Sequence, residues 1–160
     1  MHAVIVPERP FSPLSAGRLA SISTPAPRST PAPLDSLRGP VSLAGRRILL
    51  VEDEMMLALE LEMALEDEGA EVIGPIDDLS KGLARLDREL VLDAAILDID
   101  LHGEDVFPIA ERLRARDVPF LFHTAHGDRV TLSRYFDGVP VCIKPTLSEQ
   151  LMASVKSLLA

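Results

Sequence analysis

The hydrophobic positions after residue 45 alternate between short continuous runs and stripes with helical spacing. Continuous apolar runs of about four residues are typical of parallel strands that are covered on both faces. Stripes that recur at i, i+3, i+4 and i+7 indicate amphipathic helices. The pattern predicts strands at residues 48–51, 71–74, 94–97, 120–122 and 139–143, and helices at about 54–68, 79–89, 106–113 and 147–158, with a weak helix at 128–137.

Polar residues and glycines mark where these helices begin and end. Gly69 is expected to stop the first helix, and Asp77 or Asp78 is expected to cap the second. The sequence from Thr146 to Glu149 has the pattern of a capping box, which predicts that the last helix opens there. Five strands that alternate with helices therefore fill the region from 45 to 160.

Alternating strands and helices of this length predict an α/β fold. Right-handed crossovers place the strands in a parallel sheet with helices on both faces. The Rossmann-like and flavodoxin-like orders both satisfy this rule, and five strands in about 115 residues favour the flavodoxin-like, doubly wound order 2-1-3-4-5. Ligands of such sheets bind beyond the carboxyl ends of the strands, so those ends are where chemistry is expected.

The first 44 residues differ in composition from the rest of the chain. Eight of the 13 prolines precede residue 45, and four arginines and two acids give this part a net charge of +2. Residues 45–160 carry 12 basic and 23 acidic side chains, a net charge of −11. We interpret 1–44 as a disordered, weakly basic leader. A partner-binding tail, a transit segment and residues upstream of the true start remain open alternatives for it.

Charge and cysteine content exclude several functional classes. A net charge of −9 over 160 residues does not favour binding to nucleic acid through phosphate contacts. The sequence contains no apolar run near the roughly 18 residues of a membrane span, and its start has no signal-peptide pattern. The single cysteine, Cys142, fits a reducing compartment, so we expect a cytoplasmic protein without nucleic-acid or membrane partners.

Polar side chains follow four of the predicted strands at their carboxyl ends. Glu52 and Asp53 follow the first strand, Asp98 the third, Thr124 the fourth and Lys144 the fifth. Carboxylates brought together in a crevice repel one another and favour a hard divalent cation such as Mg²⁺. A carboxylate nucleophile, a divalent metal, a lysine and a hydroxyl together are the groups needed to form an aspartyl phosphate.

Over residues 46–160 the sequence resembles the receiver domain of two-component response regulators. The matching stretches are 48–54 (ILLVEDE), 97–101 (LDIDL), 122–125 (FHTA) and 143–145 (IKP). The resemblance implies that Asp98 is the phosphoacceptor. It also implies a Mg²⁺ site in which Asp53 and Asp98 bind the ion directly, Glu52 contributes through water, and Asp100 supplies its backbone carbonyl.

The same resemblance assigns the groups around the phosphoryl oxygens. Thr124, the backbone of Ala125 and the ammonium of Lys144 would hold these oxygens, and the bond to Pro145 would be cis. His126, two residues after the threonine, is a candidate for tuning the lifetime of the aspartyl phosphate, although an exposed loop histidine is the simpler interpretation.

A narrower likeness, carried by residues 101–110 and 118–122, is to short, single-domain receivers. Many receivers place an aromatic residue three positions before the lysine, where this chain has Val141, so a different route of signalling is expected. No output domain is visible in the sequence, so we expect output through protein contact. The implied partners are a histidine kinase or a histidine phosphotransfer protein and an unknown downstream target.

Three other functions share part of this pattern. An aspartate-nucleophile phosphatase also uses an Asp-x-Asp sequence, as in residues 98–100, but there that sequence comes first and the acidic pair last. A receiver-like interaction module that works without phosphorylation is a second alternative. A flavodoxin is a third, although acids instead of small hydroxyl residues follow the first strand and would repel a phosphate. The receiver interpretation predicts a phosphoryl acceptor and not a true enzyme.

Overall fold

The computed structural model describes residues 41–89, 91–125, 132 and 134–160, which form an α/β fold. Its elements are the strands β1 (Arg47–Val51), β2 (Glu71–Ile76), β3 (Ala94–Leu97), β4 (Asp100–Leu101), β5 (Glu104–Asp105), β6 (Phe120–Thr124) and β7 (Val141–Ile143), and the helices α1 (Met55–Asp67), α2 (Leu79–Arg88), α3 (Phe107–Ala115) and α4 (Ser148–Leu158). Among these described residues, no helix is both long enough and apolar enough to cross a membrane.

Five parallel strands form the main sheet in the order β2-β1-β3-β6-β7. Counted over these five strands alone, this is the 2-1-3-4-5 order of a flavodoxin-like sheet, so the predicted fold class is confirmed. β1 pairs with β3 from Ile48 opposite Ala94 to Val51 opposite Leu97. The carboxyl ends of these two central strands therefore lie side by side, with the end of β6 next to β3 and that of β7 next to β6.

Helices cover the sheet on both faces, and each face has its own apolar core. α2 and α3 pack on one face, where the buried cluster contains alternate residues of the central strands together with Phe120, Phe122 and Phe136. α1 and α4 pack on the other. The buried residues of the second cluster are Leu43, Ile48, Leu50, Leu61, Leu65, Ala70, Ala94, Ile96, Leu121, Leu151, Met152 and Val155. Because residues of each central strand alternate between the two clusters, both faces of the sheet are covered.

Leu43 belongs to this second core although it precedes residue 45, where the composition changes. Its side chain is fully buried with Leu61 and Leu65 of α1. The backbone nearby is fixed by a hydrogen bond from the amide of Gly45 to the carbonyl of Gly69, 2.8 Å long. Packing therefore extends at least two residues before the change in composition.

β2 lies at the edge of the sheet and is longer than predicted. It runs through Pro75 to Ile76, which an edge strand tolerates because one side of it needs no backbone donor. Its register against β1 shifts between Leu49 and Val51. Gly74 sits at this irregularity with φ +136°, and a Cβ there would lie 2.5 Å from the carbonyl oxygen of Leu50. Only glycine fits this position.

The helix starts match the sequence in one case and differ in another. Asp78 caps α2 by accepting a hydrogen bond from the amide of Lys81, 2.9 Å long. The predicted capping box of the last helix is wrong, because Leu147 and not Thr146 is the N-cap. The hydroxyl of Thr146 instead donates to the carbonyl of Ile143 at 2.6 Å. Of the predicted weak helix at 128–137, residues 132, 134 and 135 are helical, and 128–131 and 133 lie outside the described residues.

Candidate functional site

Backbone hydrogen bonds between neighbouring strands hold the predicted site residues at one edge of the sheet. The amide of Asp98 donates to the carbonyl of Val51 at 2.9 Å, which fixes the end of β3 beside the end of β1. The amide of Lys144 donates to the carbonyl of Thr124 at 2.9 Å, which does the same for β7 and β6. Glu52, Asp98, Thr124 and Lys144 thus come from the ends of four different strands. They lie close together because these strands end at the same edge of the sheet.

The ammonium of Lys144 bridges two carboxylates. Its Nζ lies 2.5 Å from Oδ2 of Asp98 and 2.8 Å from Oε1 of Glu52. The side chains are 13% exposed for Lys144, 9% for Asp98 and 1% for Glu52. One cation thus ties the ends of three strands together in a place where water screens the charges poorly.

Asp53 adds a third carboxylate to this group. Oxygen atoms of Glu52, Asp53 and Asp98 all lie within 4.8 Å of one another. When ionised, these acids carry three negative charges against the single positive charge of Lys144. Carboxylate oxygens at this spacing and an excess of negative charge are what a hard divalent cation such as Mg²⁺ requires, so the donor set fits that ion.

The carboxylates open into a cleft of about 670 Å³. Thr124, which is 2% exposed, and the exposed residue Ala125 line it beyond the end of β6. Its other wall is partly apolar and includes Phe107 and Leu132. The cleft therefore combines charged groups, a hydroxyl and an apolar wall. Its volume is large enough for a small anionic group next to Asp98.

The hairpin of β4 and β5 covers one side of the cleft. The side-chain oxygen Oδ1 of Asp100 accepts a hydrogen bond from the amide of Gly103 at 2.6 Å, so this carboxylate is used within the turn. The backbone amide of His102 donates to Oδ2 of Asp53 at 3.0 Å, and its ring atom Nδ1 lies 3.0 Å from the same oxygen. The two short strands β4 and β5 were not among those predicted from the sequence, so this contact of His102 was not predicted either.

Burial and charge shift the pKa values of two of the groups. Burial raises the pKa of Glu52 from 4.5 to about 7, although the hydrogen bond from Lys144 works in the opposite direction. Burial alone would lower the pKa of Lys144, but its hydrogen bonds to Asp98 and Glu52 outweigh this effect and raise it above 10.5. The ammonium is therefore charged at neutral pH.

His123 is a buried polar residue next to the site that the sequence analysis did not single out. Its side chain is 1% exposed, and Nδ1 lies 3.9 Å from Oε2 of Glu52. Within the described part of the chain, neither ring nitrogen has a hydrogen-bond partner. Burial and the nearby Lys144 lower the pKa of His123 from 6.5 to about 4, so the ring is neutral near pH 7. The sequence signal that could have identified it is a histidine directly after three apolar residues of a predicted buried strand.

Pro145 and His126 are the other two residues for which the sequence predicted a role. The peptide bond between Lys144 and Pro145 is cis, as the resemblance implied. His126, the candidate for tuning the lifetime of the phosphorylated form, lies outside the described residues.

Comparison with known sequences agrees with this geometry. The sequence profile described as the response regulator receiver domain matches residues 48–156. The transcriptional activator protein IrlR of Burkholderia pseudomallei is 36% identical over 117 residues, which are 71% of this chain and 50% of that protein. The transcriptional regulatory protein TrcR of Mycobacterium tuberculosis is 38% identical over 119 residues, 71% of this chain and 45% of that protein. The chain spans about half the length of these curated relatives.

Solved structures of similar chains share the fold over nearly their whole length. The solution structure of SdrG from Sphingomonas melonis Fr1 is 38% identical, has a TM-score of 0.62, and covers 74% of this chain and 99% of that one. The response regulator receiver protein from Sinorhizobium medicae WSM419 is 27% identical with a TM-score of 0.65, covering 74% of this chain and 97% of that one.

Proposed function

The chain belongs to the response regulator receiver domain family, and we propose that it accepts a phosphoryl group on Asp98 and signals through protein contact. Receiver domains are generally phosphoryl acceptors and not enzymes. The observation that carries the proposal is the position of Lys144, whose ammonium lies 2.5 Å from Asp98. A salt bridge that only stabilised the fold would need neither the open cleft beside Asp98 nor the nearby carboxylate of Asp53. The presence of both favours a reactive site.

In the proposed reaction, a carboxylate oxygen of Asp98 attacks the phosphorus of a phosphohistidine or a small acyl phosphate. The bond from phosphorus to the donor atom breaks, and its electron pair remains with the donor. Lys144 contacts Asp98 before transfer and lines the cleft in which the new negative charge arrives. The hydroxyl of Thr124 and the backbone of Ala125 are the donors proposed for the phosphoryl oxygens.

Receiver domains bind Mg²⁺ at an acidic pocket. Here the proposed ligands are Asp53, Asp98 and the backbone carbonyl of Asp100, with Glu52 acting through water. When bound, the ion supplies positive charge against the phosphoryl oxygens and the crowded acids. The chain's own contribution is to keep the three carboxylates within 4.8 Å of one another.

The same proposal includes the proteins that this chain contacts and its location in the cell. Receiver domains interact with histidine kinases or phosphotransfer proteins, and we propose a donor of this kind together with a downstream protein target in the cytoplasm. The match to SdrG over 99% of that chain supports a stand-alone receiver. One structure of SdrG is of its BeF3-activated conformation. We propose a similar conformational response in this chain, within residues 45–160 and the Leu43 side chain that packs with them.

Mass spectrometry of the intact protein after incubation with acetyl phosphate and Mg²⁺ tests the proposal. We expect one added phosphoryl group on the wild type, its loss on treatment with hydroxylamine, and none on Asp98→Asn. Asp105→Asn, an exposed acid on the rim of the same cleft, is the matched control and should be labelled like the wild type. Labelling of Asp98→Asn to the wild-type level would contradict the proposal, because the phosphoryl group would then be on another residue. An unlabelled wild type would also contradict it and would leave a phosphorylation-independent interaction module. The rate at which phosphorylated His126→Ala loses its phosphoryl group tests whether His126 tunes the lifetime of the aspartyl phosphate. A half-life equal to that of the wild type would reject this role.

A further inference from the structure

We propose that His102 is a ligand for the divalent cation of this cleft, and that its imidazole makes the site prefer later first-row metals such as Ni²⁺ and Co²⁺ to a degree that the carboxylates alone would not. The inference rests on the proposed function in one respect only, that a divalent cation binds at Asp53. It concerns which ion the site selects, not whether Asp98 accepts a phosphoryl group.

The contact between His102 and Asp53 is the first observation. Nδ1 of the ring lies 3.0 Å from Oδ2 of Asp53, and the backbone amide of His102 donates to that same oxygen at 3.0 Å. The imidazole is 65% exposed, so packing does not force it into this position. It lines the same cleft as Asp53 and Asp98.

The hairpin holds His102 in place through its backbone. His102 has φ +55° and Gly103 has φ +91°, and the turn is closed by the hydrogen bond from Gly103 to Oδ1 of Asp100. Histidine is one of the few residue types enriched in this left-handed region. The turn between β4 and β5 therefore fixes the backbone position from which the imidazole reaches Asp53.

The chemistry of the two donor atoms matches a shared ion. At the observed distance, a proton on Nδ1 donates a hydrogen bond to Oδ2 of Asp53. When the ring proton is on Nε2 instead, Nδ1 has a lone pair that a cation bound at Asp53 can accept. Two ligands about 2.1 Å from an octahedral ion and at right angles are about 3.0 Å apart, which is the observed separation of Nδ1 and Oδ2. Imidazole favours Ni²⁺, Co²⁺ and Zn²⁺, whereas Mg²⁺ prefers oxygen.

A simpler role for His102 makes a different prediction. If the ring only forms a hydrogen bond with Asp53, every cation must displace it, and its removal would strengthen the binding of all ions by the same factor. If the ring is a ligand, its removal weakens Ni²⁺ binding while Mg²⁺ binding stays the same or improves. The ratio of the two dissociation constants therefore separates the two roles.

Direct titration of the full chain with Ni²⁺ and with Mg²⁺, by calorimetry, measures this ratio. For His102→Ala we expect the preference for Ni²⁺ over Mg²⁺ to fall by about tenfold or more, and the visible absorption of bound Co²⁺ to change with the loss of a nitrogen ligand. His2→Ala is the control for a histidine elsewhere in the chain and should keep the wild-type ratio.

Two outcomes would overturn the inference: an unchanged ratio in His102→Ala, or a loss of the preference in His2→Ala instead. Asp53→Asn distinguishes these failures from failure of the proposed function. If Asp53→Asn leaves Mg²⁺ binding unchanged, the proposed magnesium site is wrong. If it abolishes Mg²⁺ binding while His102→Ala changes nothing, only the role of His102 is wrong.

Discussion

Oε2 of Glu52 lies 3.9 Å from Nδ1 of His123, and each side chain is only 1% exposed. Burial acts on both groups but in opposite directions. It raises the pKa of the Glu52 carboxyl from 4.5 to about 7 and lowers the pKa of the His123 imidazole from 6.5 to about 4. Both groups are thus driven toward their neutral forms inside the fold.

This pair predicts two opposite pH dependences of stability. Between pH 6.5 and 4 the unfolded chain holds the His123 proton and the folded chain does not, so this residue lowers stability as pH falls. Between pH 7 and 4.5 the folded chain holds the Glu52 proton and the unfolded chain does not, so that residue raises stability as pH falls. In the wild type the two contributions largely cancel over their shared range.

Replacing either Glu52 or His123 should reveal the pH dependence of stability that the remaining residue causes. From pH 6.5 to 5, His123→Leu should gain about 2 kcal/mol in the free energy of unfolding relative to the wild type, and Glu52→Gln should lose about 2 kcal/mol. Urea denaturation at the two pH values measures both changes. Parallel curves for the wild type and both variants would show that burial does not shift these groups as described.

Lys144 competes with a divalent cation for the same carboxylates, because its ammonium contacts Asp98 and Glu52 directly. Lys144→Met should therefore bind Mg²⁺ about tenfold more tightly or better, since removing a positive charge at this distance is worth more than about 1.4 kcal/mol. Phosphorylation by acetyl phosphate should fall in the same variant. Lys156→Met, which removes a lysine paired with Glu68 away from the cleft, should change neither property.

Magnesium should stabilise the folded protein through Asp53. For a dissociation constant of about 1 mM, about 10 mM Mg²⁺ adds roughly 1.4 kcal/mol, which is visible as a rise of a few degrees in the thermal midpoint. Asp53→Asn should abolish this rise. Asp105→Asn, whose acid lines the cleft outside the group of three carboxylates, should retain it, and equal loss in both variants would argue against a specific site.

Gly74→Ala tests the irregular pairing of β1 and β2 beside Glu52. A Cβ at this position would lie 2.5 Å from the carbonyl oxygen of Leu50, and φ is +136°. We expect a loss of about 3 kcal/mol in the free energy of unfolding. Gly45→Ala, with φ +72° and no atom within 4 Å of the added carbon, should lose only about 1 kcal/mol. Equal losses would show that backbone strain, not the clash, governs Gly74.

The sheet order and the meeting of Asp53, Asp98 and Lys144 could be predicted because each depends on a repeating rule. Apolar runs define parallel strands, right-handed crossovers restrict their order, and strand ends share one edge of the sheet. The position of Leu43 could not be predicted in the same way, because a single apolar residue in a proline-rich stretch has no periodicity. Its burial depends on the surface of α1, which forms only in the folded chain.

The contacts of His102 and the cap of α4 were missed for a different reason. β4 and β5 contain two residues each and leave no alternating pattern in the sequence. The Thr146 hydroxyl had two acceptable uses, a helix cap or a bond to a nearby carbonyl, and the turn after β7 decided between them. Local motifs state what a side chain is able to do, and the tertiary structure selects among those uses.

Phe107 belongs to two surfaces at once. It lines the acidic cleft, and its ring centre lies 5.3 Å from that of Phe136 and 6.4 Å from that of Phe122. The wall of the cleft is therefore the outer layer of the aromatic core. Mutations within that core can alter the shape of the reactive pocket without replacing a charged group. A change in core packing would therefore also change reactivity, because both depend on the position of the Phe107 ring.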